Sequence, residues 1–217
     1  MTGHALAGRL AAPSFVLPGT VAENAAFLAG KVDEVALCLF EAQACLAYTA
    51  ADMPVALADL PLRWHVHLPV DLPWPTTAGK AEARRAADIA FAVLRKAAFL
   101  RPHLAVLHPP ETDLDTQRRL LAAFAARWQA LSAANSADGA GKPQLALENV
   151  SHADVVSLGP HFLEDHGLAF CLDAGHLLGY AQYDILDSPL PEQAALVHWS
   201  APGRQDEHLA LTGFTPS

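Results

Sequence analysis

Charge is scarce in this sequence, and positive charge scarcer still. Asp, Glu, Lys and Arg together make up 17% of the chain, with 14 basic residues against 23 acidic ones and a formal net charge of −9. No stretch concentrates the lysines and arginines. A duplex nucleic acid is held by several such side chains tracking its phosphates, so nucleic acid is excluded as an expected partner. Cysteine is also sparse: Cys38, Cys45 and Cys171 are odd in number, contain no CxxC pair and sit among apolar neighbours. They are expected to be reduced core thiols in a cytoplasmic protein rather than a disulfide framework. No apolar run reaches the roughly 18 residues of a membrane span, and the first residues, MTGHALAGRLAAPSFVLPG, lack a basic segment followed by an apolar block. Neither a membrane nor an export signal is therefore expected.

What the chain has in quantity is apolar surface. At 217 residues, 52% of them hydrophobic, it is long enough and apolar enough for one domain with a large core. We expect residues 1–217 to form that single domain, folding alone or as a simple homo-oligomer. Bound divalent cations would offset part of the negative charge.

Short β-rich runs alternate with longer Ala/Leu-rich ones, the rhythm of repeated βα units on a parallel sheet. Strands are predicted at residues 14–17, 35–40, 62–67, 104–108, 144–147, 169–172 and 196–198. Helices are predicted at 21–28, 79–100, 113–134, 153–165 and 176–186, with a short one near 54–60. This points to an α/β fold, a TIM-type (β/α) barrel with about seven visible strands, incomplete at its C-terminus. The polar segment 132–142, SAANSADGAGK, is followed at once by the strand-like QLAL. It is therefore placed as an extended αβ loop rather than a domain linker.

Barrel sites lie at the C-terminal strand ends, and there the polar residues recur. Strand three ends in Trp64-His65-Val66-His67, strand four in Leu107-His108, strand five in Leu147-Glu148-Asn149, strand six in Leu172-Asp173-Ala174-Gly175-His176, and strand seven in Val197-His198; the next loop adds Asp206-Glu207-His208. A lone histidine or carboxylate at such a place is commonly a hydrogen-bonded structural residue or a helix cap. Five successive strands ending this way, in a chain with 11 histidines, instead point to a shared site. Imidazole and carboxylate donors suit Zn²⁺ or Mn²⁺, with Fe²⁺ and Co²⁺ also compatible. Eight candidates, His67, His108, Glu148, Asp173, His176, His198, Asp206 and His208, exceed one tetrahedral shell. One to three divalent ions are thus expected, with two or three bridged by carboxylate favoured over one, and a bound water would have its pKa lowered towards about 7.

In order and spacing, His67, His108, Glu148, Asp173-x-x-His176, His198 and Asp206-x-His208 resemble the metal ligands of the apurinic endonuclease family (family 2) within the xylose isomerase-like barrels. The match spans roughly residues 60–210, and the D-x-x-H and D-x-H spacings are its specific part. The resemblance implies His67, His108 and Glu148 on a first metal, Glu148, Asp173 and His198 on a second, and His176, Asp206 and His208 on a third. That family takes a further glutamate from a last strand, for which this sequence shows no counterpart before Ser217, so the second shell is expected to be one ligand short. AAPSFVLPG, LCLFEAQACLAY, WHVHLPVDLPW and CLDAGHLLGY are similar to the cobamide-remodelling phosphodiesterases, which cleave the nucleotide loop of corrinoid cofactors.

Together these imply a metal-dependent hydrolase acting on a small phosphodiester or corrinoid substrate, with Glu148, Asp173 and His198 as its catalytic centre. Two other readings stay open: a sugar isomerase or epimerase on the same barrel, and a truncated barrel that binds metal or a corrinoid without turnover. Substrate contacts are expected from Glu41 just past strand two, Asn149 beside Glu148, and Arg204, the nearest cation for a phosphate oxygen, each with an ordinary structural alternative. His65, one pleat below His67, is expected to be a supporting or core residue. Tyr180 and Trp199 either wall the pocket or simply pack. His103, His152, His161 and His166 are given no role.

Overall fold

A computed structural model describes residues 8–74, 79–135, 142–202 and 208–209. Seven parallel strands form one sheet in strict sequence order: β1 (Ala11–Pro13), β2 (Glu34–Cys38), β3 (Arg63–His67), β4 (Leu104–Leu107), β5 (Gln144–Glu148), β6 (Ala169–Asp173) and β7 (Ala194–His198). A two-stranded antiparallel ribbon, β8 (Ala201–Pro202) with β9 (His208–Leu209), follows. Among the described residues β1 and β7 are not paired with each other, so the curled sheet is an incomplete TIM-type barrel.

The helices of the outer layer are α1 (Val21–Leu28), α2 (Ala42–Leu46), α3 (Lys80–Lys96), α4 (Leu114–Ala134), α5 (Phe162–Asp165) and α6 (Ala174–Gly179). Sequence explains their ends. Thr20 and Glu23 make a reciprocal capping box that starts α1, and Asp113 accepts from the Thr116 amide at 3.0 Å to start α4. Helices α3 and α4 form the thickest part of the outer layer, where Phe91 meets Trp128 edge-on at 5.4 Å and Phe124 lies under Trp74 at 5.1 Å.

Side-chain alternation divides the sheet into two faces. Val35, Leu37, Leu39, Val66, Leu107 and Leu147 point outward and are buried under the helices. A separate cluster, Leu104, Val106, Ala146, Ala169 and Cys171 with Leu196 against it, fills the inner face. Below that cluster, towards the strand starts, lie Glu34 and His65. Burial acts to raise the Glu34 carboxyl, but hydrogen bonds from His65 and His103 outweigh it and bring it down to about 2.

The predicted strands β2 to β7 are found within two residues of their expected bounds, and α1 has the bounds expected. Three placements are corrected. β1 is Ala11–Pro13, not residues 14–17, and Phe15, Val16 and Leu17 are exposed. The expected helix 153–165 is a 3-10 turn at Val156–Leu158 and the single turn of α5, separated by Gly159-Pro160. The helix expected over 176–186 starts earlier, at Ala174, and ends at Gly179, after which Ala181 has φ +53°. No helix among the described residues is long and apolar enough to cross a membrane.

Candidate metal centre

Five strand ends converge on Glu148. Its carboxylate, at the last residue of β5, is 1% exposed and faces a different set of imidazoles with each oxygen. Oε2 lies 3.2 Å from His67 Nε2 and 3.3 Å from His108 Nε2. Oε1 lies 3.0 Å from His198 Nδ1 and 3.9 Å from His176 Nδ1. The geometry yields three overlapping groups of ligand-type atoms that all contain Glu148: with His67 and His108, with Asp173 and His176, and with Cys171 and His198.

Backbone contacts fix two of the rings. His67 Nδ1 lies 3.0 Å from the Leu68 carbonyl, and His176 Nδ1 lies 2.8 Å from the Asn149 carbonyl. A carbonyl only accepts, so each Nδ1 carries the proton and each Nε2 presents a lone pair, as in metal-bound histidines. For His67 this has a consequence. Its Nε2 lone pair faces the Glu148 carboxylate, two acceptors at 3.2 Å, which calls for a cation between them. A second proton on His67 is disfavoured, because burial lowers its pKa. A divalent cation fits the donor set.

Asp173 closes β6 and caps α6, its Oδ1 accepting from the His176 amide at 2.7 Å. Asn149 clamps the two strands: its amide nitrogen donates to the Asp173 carbonyl at 3.1 Å, and its oxygen accepts from the Asp173 amide at 2.7 Å. Gln182 Oε1 accepts a further bond from Asn149 at 3.0 Å, while Gln182 Nε2 donates to the Val150 carbonyl at 2.7 Å. His198 comes into line through an irregularity in β7, where the register passes from Phe170↔Ala194 to Cys171↔Leu196 and so brings His198 opposite Asp173. Neighbours across a sheet share a face, so this places His198 on the inner side with Asp173.

The electrostatics follow from this crowding. Burial would raise the Glu148 carboxyl, but the His198 charge and hydrogen bonds from His108 and His198 hold it well below the usual range. Burial also works against a charged His198, yet its interactions with Cys171 and Glu148 lift its pKa well above normal. Because burial pushes the Cys171 thiol up to about 11, that thiol is neutral near pH 7 and Glu148 is what holds the His198 proton. Burial, then the charge of Glu148, raises Asp173.

His67, His108, Glu148, Asp173, His176 and His198 are thus brought together. Asp206 and Arg204 lie outside the described residues, as does the side chain of His208, whose backbone begins β9. Glu41 is exposed at the N-cap of α2 and makes no capping bond there. Trp199 is 69% exposed, and the Tyr180 ring lies 5.6 Å from His176. Sequence reasoning missed two participants. Cys171 was placed in the core, where it is, but it also lies within ligand distance of Glu148 and His198; its position two residues before Asp173 on one strand face was the available signal. Gln182 has no such signal.

No model of a known protein family matches the sequence, and no curated protein matches it. Solved structures do match in fold. Endonuclease IV from Thermus thermophilus is 19% identical with a TM-score of 0.64, covering 94% of this chain and 81% of that one. An AP endonuclease, family 2, from Brucella melitensis is 15% identical with a TM-score of 0.58, covering 93% and 84%. A D-tagatose 3-epimerase-like protein is 16% identical with a TM-score of 0.61, covering 89% and 76%. The architecture is therefore that of the TIM barrels.

Proposed function

We propose that this chain is a divalent-metal-dependent phosphodiesterase acting on a small nucleotide-containing cofactor, with the nucleotide loop of a cobamide as the leading substrate. The observation that carries it is Glu148, whose two oxygens address two separate imidazole sets, so that each oxygen could serve a different cation. His67 and His108 would hold one ion with Oε2, and Asp173 and His198 the other with Oε1. When bound, Zn²⁺ or Mn²⁺ supplies a water of lowered pKa and charge stabilisation for the attacking and leaving oxygens of a phosphoryl group. A sugar isomerase or epimerase, by contrast, needs one metal and two carboxylates flanking the sugar for proton transfer.

The chain's own residues prepare that chemistry. Glu148 is kept ionised by the surrounding imidazoles, and His67 and His176 are held with Nε2 as the donor nitrogen. Asn149 keeps β5 and β6 in step, fixing the Glu148-to-Asp173 geometry through backbone bonds. His176, with Asp206 and His208, would form a third shell. The sequence phrases similar to cobamide-remodelling phosphodiesterases support the substrate, and the shortage of basic residues favours a small diester over nucleic acid.

The test is turnover by zinc- or manganese-loaded protein of a cobamide, of bis(4-nitrophenyl) phosphate and of a panel of ketoses. Cleavage of the diesters is expected, with Glu148→Ala losing about 10³-fold or more of it together with bound metal. Turnover of ketoses alone, or an unchanged metal content in Glu148→Ala, would sink the proposal.

A further inference from the structure

At the other end of the barrel interior, three polar side chains converge that the site above does not use. Glu34 opens β2, His65 lies in the middle of β3, and His103 immediately precedes β4. Glu34 Oε1 stands 2.6 Å from His65 Nδ1 and 2.7 Å from His103 Nε2. One ligand-type atom from each residue falls within 4.8 Å of the other two. The remaining carboxylate oxygen faces Arg63 Nε at 3.8 Å. This cluster belongs to the strand starts: Glu34 shares a strand face with Ala36 and Cys38, and those two pair with His65 and His67.

The base of such a barrel is ordinarily filled with layers of apolar side chains, and here the apolar cluster of Val106, Ala146 and Cys171 is interrupted instead. Glu34 and His65 are 4% and 1% exposed, and burying a carboxylate beside two imidazoles is stabilising only when every partner is satisfied. Yet His65 Nε2 is buried and has no hydrogen-bond partner among the described residues. The His103 side chain is 37% exposed, which leaves a path for an ion and room for a solvent ligand.

We infer that Glu34, His65 and His103 form a second divalent-cation site, separate from the Glu148 centre and structural in effect, which ties the starts of β2 and β4 to the middle of β3. Two imidazole nitrogens and one carboxylate oxygen, completed by water, are a donor set for Zn²⁺ or Co²⁺. On binding, the protons that His65 Nδ1 and His103 Nε2 now share with Glu34 leave those nitrogens, so uptake releases protons to solvent or moves them to the other ring nitrogen. The site stands or falls independently of the reaction proposed above.

Full-length protein dialysed against Zn²⁺ is the probe, with equivalents counted by elemental analysis and Co²⁺ substitution followed by visible absorption. Wild type is expected to hold one equivalent more than His103→Ala and Glu34→Gln, with diester turnover in His103→Ala unchanged. Glu148→Ala should keep that equivalent, and its Co²⁺ absorption should fall by that one equivalent when His103→Ala is added. His103→Gln, which keeps a polar side chain of similar reach, guards against a folding defect and should also lose the equivalent while keeping the far-UV circular dichroism of wild type. Equal stoichiometry in wild type and both His103 variants would overturn the inference and leave a triad held by protons alone. A folded Glu148→Ala protein without metal would do the same.

Discussion

Asn149 touches no ligand position with its own side chain in the way Glu148 does, yet its amide closes a two-way bond with the Asp173 backbone and reaches Gln182. Asn149→Ala is therefore expected to weaken zinc binding by about 10–100-fold while leaving the ligand set intact, measurable by competition with a chromophoric chelator. Gln182→Ala, one bond further out, should weaken it less. The cysteines make an independent residue-scale prediction. Burial pushes Cys38 up to about 12 and Cys171 up to about 11, and it raises Cys45. A raised thiol pKa keeps the unreactive protonated form dominant below that value, so native protein at pH 8 should resist iodoacetamide at all three positions. Denatured protein should take up three equivalents, counted by mass spectrometry. Rapid labelling of native Cys171 would show that its surroundings are not those described.

At the scale of elements, Gly175 has a packing role rather than a conformational one. A Cβ there would stand 2.1 Å from Ser200 Oγ and 3.3 Å from the Ser200 carbonyl, so α6 can approach the chain after β7 only without a side chain. Gly175→Ala, which usually favours a helix, should here destabilise by about 1–3 kcal/mol in urea unfolding. Thr20→Ala, removing the capping box of α1, should cost about 1 kcal/mol in the same assay. How far these elements could be read in advance depends on which force shaped them. α1 was legible because apolar periodicity fixes its body and a side-chain cap its start. The ends of β3 to β7 that gather around Glu148 were legible because an apolar run followed by His, Glu or Asp is a local signal. β1 was misplaced because Phe15, Val16 and Leu17 have strand-like composition, while pairing to β2 selects Ala11–Pro13. Gly159-Pro160 could have shortened the expected fifth helix, whereas the left-handed Ala181 after α6 has no residue-type signature. The Glu34–His65–His103 cluster was invisible for another reason: its members come from three different units and meet only through strand register.

For the molecule as a whole, every strand of the main sheet pairs with its immediate neighbours in sequence, and the heaviest outer packing lies over the middle, where α3 meets α4. Phe124, fully buried there against Trp74 and Trp128, should cost about 3–5 kcal/mol when replaced by alanine. Amide hydrogen exchange should then be slowest in β4 and β5 and fastest in β1 and β7, the two strands of the main sheet with one partner each among the described residues. Protection that is greatest at β1 would contradict this strand order.

The irregular register of β7 gives the last strand a tolerance that the others lack. Ala195 is the residue skipped between Ala194 and Leu196, so removing it should leave β7 regular and His198 still opposite Asp173. Inserting one alanine after Leu196 should instead carry His198 past Asp173 and turn it away from the interior. The strand thus holds one residue of slack in a single direction: zinc binding at the proposed site should survive the shortening and lose His198 on the lengthening, though both variants carry an unchanged list of candidate ligands.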